Sequence, residues 1–339
     1  MKYLVKLKPL EPFLFGGDQT YGTLGDKEAG SYLVKSRMFP QQTALLGMIK
    51  KELMIQANLL TRKRRGEWID RDKGSDVIAL VGGEKFNMLS ETEQDLGTIK
   101  KISPVFLMKD GTQYIKRVDI DSYTFRNGVL EGYNPKNDIY DNFISIDGGE
   151  KLKAKDIFQA TEQVGNKKGG EDNSLFKKTS YLLKDGFVFA FYIELGTELK
   201  STMVSLGADR SAFMMSVAED SSSLDYDEPE GHLTLLSDAY IKIDIKNNCH
   251  FAITSEISHR NLISKKSVLR DNKFEKSEIL YLYERGSVFI EPSDALLEDL
   301  AQKNLQNIGY NTKGKNHETR TIYNHNTKQS TCRKRRYQL

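Results

Sequence analysis

The acidic segment at residues 219–230 constrains the fold of this 339-residue chain more than any other feature of its sequence. It reads EDSSSLDYDEPE and contains acidic residues, serines and a proline, but no basic residue. Such a composition buries too little apolar surface to order itself, so we expect a solvated linker here. The linker would divide the chain into an N-terminal domain at residues 1–218 and a smaller C-terminal domain at residues 231–317.

The charge of the chain is distributed locally rather than evenly. The 50 Lys and Arg residues oppose 47 Asp and Glu residues, and the net charge of +3 does not by itself indicate a nucleic-acid-binding protein. Basic residues are concentrated towards the C-terminus, where we predict a flexible basic tail at residues 318–339.

Several classes of protein are excluded by composition. The hydrophobic fraction of 38% suffices for a packed core and excludes a fully disordered chain. The longest apolar run, at residues 187–193, is far shorter than the ~20 residues that a membrane span needs, and the N-terminus lacks the apolar stretch of a secretory signal. We therefore expect a soluble, cytoplasmic protein that has no membrane partner.

Apolar periodicity predicts two helices and a larger number of strands. The first helix is expected to begin near Thr43, which is suited to cap it, and its apolar spacing extends to Leu60. A second helix is expected to start at Ser293 and to end before Gly309. Strands are predicted at residues 3–7, 102–108, 187–195, 233–245, 251–257 and 287–290. This arrangement favours an α+β fold.

No catalytic or metal-binding arrangement is recognisable in the sequence. The five histidines and two cysteines lack the spacing of a zinc site, so we predict no metal, no cofactor and no catalytic residue. His259 and Arg260 form a pair that could act in RNA cleavage, with the histidine as general base and the arginine on the phosphate. A solvated histidine is the simpler interpretation of the same residues.

Three loop regions instead combine the residue types that contact RNA. Glycines allow a backbone to approach phosphates closely, lysines and arginines neutralise the phosphates, and aromatic rings stack on unpaired bases. Residues 205–211 combine a glycine with an arginine and serines, and residues 309–315 combine glycines, lysines and a tyrosine. Between residues 167 and 181, four lysines precede an aromatic residue.

Several motifs follow one another along residues 3–316 in a recognisable order. The two most specific are PLEPFLFGGD at residues 9–18 and FPQQTALLGM at residues 39–48. Shorter motifs follow, namely GTIKKISPVF at 97–106, LGADR at 206–210, RGSVF at 285–289 and IGYN at 308–311. Together they resemble the RAMP proteins of type III CRISPR effector complexes, and specifically the type III-B (Cmr) subunit that caps the 5′ handle of the crRNA.

The resemblance implies an α+β fold of two tandem ferredoxin-like (RRM-like) domains, with a β-hairpin thumb inserted at about residues 163–181. It implies a non-catalytic subunit of antiviral defence that binds crRNA, contacts the large nucleotide-cyclising subunit and the backbone RAMP subunits, and meets target RNA indirectly. The amide terminus of the first helix would face the handle, and Phe15 or Tyr181 would stack on a splayed base. The residues expected to contact RNA are Phe15, Gln41, Gln42, Thr43, Lys167, Lys168, Lys177, Lys178, Tyr181, Gly207, Arg210, Ser211, Asn311, Lys313 and Lys315.

Three alternatives remain open at the level of the sequence. The nearest alternative within the family is the corresponding subunit of a type III-A (Csm) complex, and the gene neighbourhood would separate the two. A metal-independent RAMP endoribonuclease that processes crRNA would use His259 or His232 as its general base. A purely structural adaptor would leave the lysines solvated.

Overall fold

The computed structural model describes residues 1–16, 19–21, 32–61, 63–64, 67–68, 70–83, 85–121, 123–126, 129–134, 140–166, 175–260, 262–264, 274–276 and 278–316. Strands far outnumber helices within these ranges, so the predicted α+β class is confirmed. No helix in the described ranges is long and apolar enough to span a membrane.

The strands are short and are distributed along the whole described chain. Those before residue 150 are β1 Lys2–Pro9, β2 Gln19–Tyr21, β3 Tyr32–Lys35, β4 Lys63–Arg64, β5 Glu67–Trp68, β6 Ile99–Ile102, β7 Phe106–Lys109, β8 Thr112–Lys116, β9 Thr124–Arg126, β10 Val129–Glu131 and β11 Asn142–Ser145. The next are β12 Lys151–Lys153, β13 Phe158–Asn166, β14 Leu175–Leu183, β15 Phe187–Leu195, β16 Thr202–Ser205, β17 Ala212–Glu219, β18 Asp227–Glu228 and β19 His232–Thr234. The last are β20 Cys249–Ile253, β21 Glu256–His259, β22 Leu262–Ser264, β23 Phe274–Lys276, β24 Leu280–Tyr283, β25 Val288–Pro292 and β26 Lys315–Asn316.

Helices interrupt the strands at a few points. The α-helices are α1 Gln42–Gln56, α2 Gly74–Val81, α3 Ala154–Ile157, α4 Asp294–Leu300 and α5 Lys303–Asn307. Short 3-10 helices occur at Arg71–Lys73 and Ile245–Asn247.

A nine-stranded sheet forms the centre of the fold, with the strand order β12-β11-β8-β7-β15-β1-β17-β16 and with β6 also paired to β15. β1 and β15 are antiparallel neighbours in its middle, and Val5 lies opposite Phe191. Because side chains alternate between the faces of a strand, Val5 and Phe191 share a core with Leu45 of α1, whereas Leu4 and Tyr192 pack on the other face. The strand predicted at residues 187–195 is confirmed as β15.

The helix α1 covers one face of this sheet and ends at Gln56 rather than at Leu60. Asn58 has a φ of 57°, and this left-handed conformation ends the helix. Leu60 consequently lies outside the helix and is 52% exposed, so the apolar spacing alone overestimated the length. The prediction that Thr43 caps the helix is also wrong, because Gln41 occupies the N-cap position and makes no side-chain capping hydrogen bond.

The C-terminal part of the chain contains a three-stranded sheet of order β19-β25-β20. Its core residues include Leu233 and Phe289, which pack with Leu296 of α4. α4 begins where it was predicted to begin, because the Leu296 amide donates a hydrogen bond to the Ser293 hydroxyl at 3.2 Å. The predicted second helix is divided into α4 and α5, which are separated at residues 301–302.

The predicted strand at residues 233–245 is wrong beyond Thr234, where β19 ends. The Leu236 amide donates to the Thr312 oxygen at 2.8 Å, whereas the Ala239 amide donates to the Tyr283 oxygen at 2.8 Å. Because successive amides bond to different segments of the chain, no continuous ladder forms with a single neighbour.

The acidic segment is not a solvated linker along its whole length, which corrects the sequence-based interpretation. Tyr226 and Glu228 are buried, and β18 pairs with β26 in parallel. The Glu228 carboxylate accepts hydrogen bonds from the amide and the hydroxyl of Thr234 at 2.8 and 2.9 Å, while burial raises the pKa of this carboxyl. Tyr310 also belongs to the core cluster that contains Val5, so residues from both sides of the segment pack together. The tandem ferredoxin-like arrangement and its domain boundaries stay predictions.

A long antiparallel hairpin lies where the thumb was expected. β13 and β14 pair over nine positions, from Phe158 opposite Leu183 to Asn166 opposite Leu175. β14 also pairs in parallel with β3. The identification of this hairpin as a thumb stays a prediction.

Candidate nucleic-acid interface

The glycine loop at residues 206–211 is hydrogen-bonded to the chain segment that contains Leu14. The Ala208 amide donates to the Leu14 oxygen at 2.8 Å, and the preceding Gly207 has a φ of 87°. A Cβ atom at Gly207 would lie 2.6 Å from the Leu14 oxygen, so both the conformation and the close approach require glycine. Asp209 and Arg210 follow with φ values of 59° and 56°, so two successive residues of this exposed turn have the left-handed backbone conformation.

Three basic side chains from the predicted set lie around this loop and the neighbouring hairpin. Lys178 of β14 forms an ion pair with Asp209 at 2.5 Å, which joins the hairpin to the loop. Lys177 is exposed and pairs with Glu162 across the hairpin at 2.8 Å. Arg210 is exposed, and no carboxylate in the described part of the chain lies within ion-pair distance of it. Exposed pairs of this kind contribute about 0–1 kcal/mol, so the lysines can exchange a carboxylate for a phosphate at little cost.

The two aromatic residues expected to stack on bases are buried, and that prediction is wrong. Phe15 is 3% exposed and stacks on Phe213 with ring centres 6.0 Å apart. Tyr181 is 7% exposed and packs against Phe158 with ring centres 5.9 Å apart. A ring that has no free face cannot stack on a base, and both rings belong to the core of the fold.

The N-terminus of α1 is covered by the loop at residues 308–311 rather than open to a phosphate. Gln42 is fully buried, and its side-chain amide donates to the Ser103 oxygen at 2.9 Å and to the Gly309 oxygen at 3.1 Å. The Thr43 amide donates to the hydroxyl of the buried Tyr310 at 3.5 Å. Protein groups therefore already occupy the side-chain amide of Gln42 and the backbone amide of Thr43, and an RNA contact of this helix terminus stays a prediction. Gln41, at the N-cap, and Thr43 are half-buried.

Ser211 and Asn311 also have structural roles instead of the predicted RNA contacts. Ser211 is buried, and its hydroxyl lies 3.5 Å from the Pro12 oxygen. The Asn311 side chain accepts a hydrogen bond from the Tyr240 amide at 2.8 Å and donates to the Tyr240 oxygen at 3.1 Å. Neither side chain is available on the surface.

Lys313 and Lys315 line a cavity that the sequence did not predict. Lys2 and Lys101, at the start of β1 and in β6, lie in the lining of the same cavity. Nothing in the sequence indicates this grouping, because each of the two lysines has the appearance of an ordinary exposed position in a strand. The remaining predicted residues, Lys167 and Lys168, lie outside the described residues.

A polar cluster formed by half-buried Arg37 and by buried Asp238, His259 and Arg285 was also missed. Arg285 donates to Asp238 at 3.3 Å and to the Val105 oxygen at 2.8 Å. One guanidinium nitrogen of Arg37 donates to the Ser258 oxygen. These residues come from distant parts of the sequence, and no local pattern brings them together.

His259 is the member of this cluster that bears on catalysis. It is 1% exposed, and neither of its ring nitrogens has a hydrogen-bond partner among the described residues. Burial, and then the positive charge of Arg37, lower its pKa from 6.5 to about 4, while Asp238 opposes this change. The other proposed general base, His232, is half-buried, and its Nδ1 lies 3.1 Å from the Glu230 oxygen.

No protein-family model matches the sequence, and no curated protein matches it. The fold is similar to that of a chain in the cryo-EM structure of the type III-B Cmr-beta bound to cognate target RNA and AMPPnP, in state 1. The two chains are 15% identical with a TM-score of 0.51, and the match covers 92% of this chain and 96% of that one. In a cryo-EM structure of the type III-B Cmr-beta bound to cognate target RNA, a chain matches with 14% identity, a TM-score of 0.50 and the same coverage. The resemblance to type III CRISPR subunits that the motifs indicated is thus confirmed at the level of the fold.

Proposed function

We propose that this chain is a non-catalytic, crRNA-binding subunit of a type III-B CRISPR effector complex that caps the 5′ handle of the crRNA. In this role it contacts the large nucleotide-cyclising subunit and the backbone RAMP subunits, and it meets target RNA through the assembled complex. Its activity in the cell is antiviral defence.

The observation that carries this proposal is a fold likeness along nearly the whole of both chains. The match covers 92% of this chain and 96% of a chain from a complex that is bound to target RNA. A fold by itself does not determine function, so the surface must supply the chemistry of RNA binding. The motifs quoted above add the expectation that the RNA is the crRNA handle.

The surface around the glycine loop has the chemistry that the proposal requires. Lys177, Lys178 and Arg210 place three cations on the hairpin and on the loop joined to it. The carboxylate partners of the two lysines are exposed, so phosphates can compete with these carboxylates for the lysines. Contact with a phosphate backbone through such residues gives affinity that depends on salt.

The environment of the histidines supports the non-catalytic part of the proposal. A general base must reach the proton that it removes, and its pKa should lie near the working pH. His259 is buried, and its pKa is lowered to about 4. Incubation of the purified chain with repeat RNA in the absence of metal tests this part, and cleavage that the H259F substitution abolishes would contradict it.

The central test is recovery of the tagged full-length chain from cells that express the complete complex, with sequencing of the bound RNA and identification of the bound proteins. We expect crRNAs that share the 5′ handle, together with type III subunits. Recovery of the subunits without RNA would favour the structural adaptor instead, and recovery of neither would overturn the proposal.

A pair of charge-matched variants then tests the surface itself. R210Q/K178Q removes two cations at the glycine loop, whereas R126Q/K200Q removes two exposed cations elsewhere. The first variant should bind a handle-containing RNA more weakly. Each lost phosphate contact to a single strand lowers the slope of log K against log salt concentration by about 0.7, so losing two contacts should lower its magnitude by about 1.4. The second variant should behave like the wild type. Equal effects from the two variants would show that only the overall charge matters.

A further inference from the structure

A cavity of about 430 Å³ opens beside β6 and β15 of the central sheet. Its walls come from separate parts of the chain: Ile102 ends β6 and Pro104 follows it, Tyr192 lies in β15, and Leu224 belongs to the acidic segment. Lys313 and Lys315 contribute from the C-terminal loop. The cavity therefore exists only in the folded chain, and it combines an apolar interior with charged side chains.

Four lysines and two acidic residues line this cavity, which gives it a local excess of positive charge. Lys315 pairs with Asp225 at 2.7 Å. Lys2 donates to the Ser221 oxygen at 2.9 Å, and its ammonium lies 5.6 Å from the centre of the Tyr192 ring.

Two of the lysines are not held by such contacts. For Lys101 and Lys313, no ion pair with a carboxylate occurs within the described part of the chain. Neither side chain is fully buried, since Lys101 is exposed and Lys313 is half-buried. Two uncommitted cations at the lining of one cavity are suited to an anionic group that enters from solvent.

We propose that this cavity binds one unstacked nucleotide of single-stranded RNA, with its phosphate at Lys101 and Lys313 and its base against the apolar wall. This inference rests on the proposed function and specifies a site for it that is separate from the glycine loop. Sites for small ligands range from about 300 to 1,000 Å³ and combine an apolar lining with a few polar groups, which matches this cavity.

The dimensions and the lining favour a nucleotide over an acidic side chain of a partner protein. A single carboxylate would satisfy the lysines but would leave most of the cavity and its apolar wall unfilled. A nucleotide has both a phosphate for the lysines and a flat apolar surface for Leu224, which is half-buried in the lining.

The test compares the full-length wild type with K101A/K313A and with the control variant K100A/K246A. Both variants lose two positive charges, and Lys100 and Lys246 are exposed residues that do not line the cavity. Lys100 also adjoins Lys101 in β6, so the control removes a charge from the same strand. Thermal melting of each protein confirms that the exposed substitutions leave the fold intact.

Binding is measured by fluorescence anisotropy with a labelled single-stranded RNA that begins with the repeat-derived handle. We expect K101A/K313A to bind about tenfold more weakly than the wild type, with the control unchanged. RNAs that carry 4-thiouridine at one position at a time should crosslink at a single position to peptides of the cavity wall, and K101A/K313A should lose this crosslink.

Each result decides between the proposals. If the wild type binds the RNA while K101A/K313A and K100A/K246A have equal affinity, the cavity assignment is overturned and the proposed function stands. Loss of a partner protein from K101A/K313A without loss of RNA affinity overturns it as well, in favour of a protein-docking site. If the wild type does not bind RNA at all, both proposals fail.

Discussion

Acidification should destabilise this protein through His259, and we predict that the substitution H259F removes the effect. The ring is buried, and the charged and titratable groups that face it are Arg37, Asp238 and Tyr310, which come from other parts of the chain. Burial and the charge of Arg37 lower the pKa of His259 from 6.5 to about 4. The His259 ring is therefore harder to protonate in the folded protein than in the unfolded chain.

The magnitude follows from the linkage between protonation and folding. Between pH 6.5 and about 4 the unfolded chain binds the His259 proton and the folded chain does not. The contribution of His259 to the free energy of unfolding is complete above pH 6.5 and is lost as the pH falls towards 4. At about 1.4 kcal/mol for each pH unit, the loss amounts to about 3.4 kcal/mol, and no further loss occurs below the folded pKa.

The assay is denaturant unfolding of the wild type and of H259F at a series of pH values from 7 to 4. Carboxyl groups also titrate in this range, and Glu228, whose pKa is raised by burial, contributes with the opposite sign. These contributions cancel in the difference between the two proteins, and that difference should change by about 3 kcal/mol. Phe keeps the edge-to-face contact with Tyr310, whose ring centre lies 6.2 Å away, and has no unpartnered nitrogen.

The control is H250Q, since His250 is exposed and lies 3.0 Å from Glu291 at the surface. Its free energy of unfolding should follow the wild type across the whole series. Parallel curves for H259F and the wild type would refute the argument. So would a proton resonance of the His259 ring that titrates near pH 6.5 in the folded protein.

Two further predictions concern stability. G309A should lower the free energy of unfolding by about 3 kcal/mol or more, because its Cβ would lie 2.0 Å from the Gln42 side-chain amide at a φ of 84°. G111A is the control, since Gly111 has a φ of 86° and no atom within 4 Å of such a Cβ, and it should lose only the backbone strain of about 1–2 kcal/mol. Equal losses of unfolding free energy would contradict this account. R285M should cost about 3–5 kcal/mol by leaving buried Asp238 unpaired, and R285M/D238N should recover much of the loss in the same unfolding assay. A double variant no more stable than R285M would contradict that account.

The parts of the fold that were predicted correctly are those that depend on local patterning. The run of aromatic and branched residues in β15 has no breaker inside it, so the strand begins where the apolar run begins and continues to Leu195. α4 begins at a serine whose hydroxyl accepts a hydrogen bond from a helix amide, which is a local signal as well. By contrast, the end of α1 depends on the left-handed conformation of Asn58, which apolar periodicity does not register.

The acidic segment shows why composition failed where tertiary contacts decide. Its serines and most of its acidic residues are exposed, as composition suggests. Glu228 is nevertheless buried because Thr234 donates two hydrogen bonds to it, and Tyr226 is buried in a separate apolar cluster. Thr234 and the buried partners of Tyr226 lie outside the segment, so the composition of the segment alone could not predict this burial.

The predicted site was partly wrong for a related physical reason. Residue types such as Phe, Gln and Asn suit RNA contact, but they also suit a core or a buried hydrogen-bond network. Phe15 and Gln42 serve the fold in these ways, whereas Arg210 and Lys177 stay on the surface because an isolated charge is costly to bury. Charge was therefore a better guide to accessible positions than aromatic or amide character.

The motifs that carried the family resemblance are joined to one another at the N-terminus of α1. Gln42, from the motif at residues 39–48, donates to oxygens of Ser103 and Gly309, which belong to the motifs at 97–106 and 308–311. Arg285, from the motif at 285–289, donates to the oxygen of Val105. These contacts connect parts of the chain on both sides of the acidic segment. Because the motifs supply contacts that assemble the fold, they predicted its α+β class, while several of the residues that they suggested for RNA contact are buried. Residues that face RNA should accordingly be sought outside the buried parts of the motifs, at exposed cations such as Arg210 and Lys101.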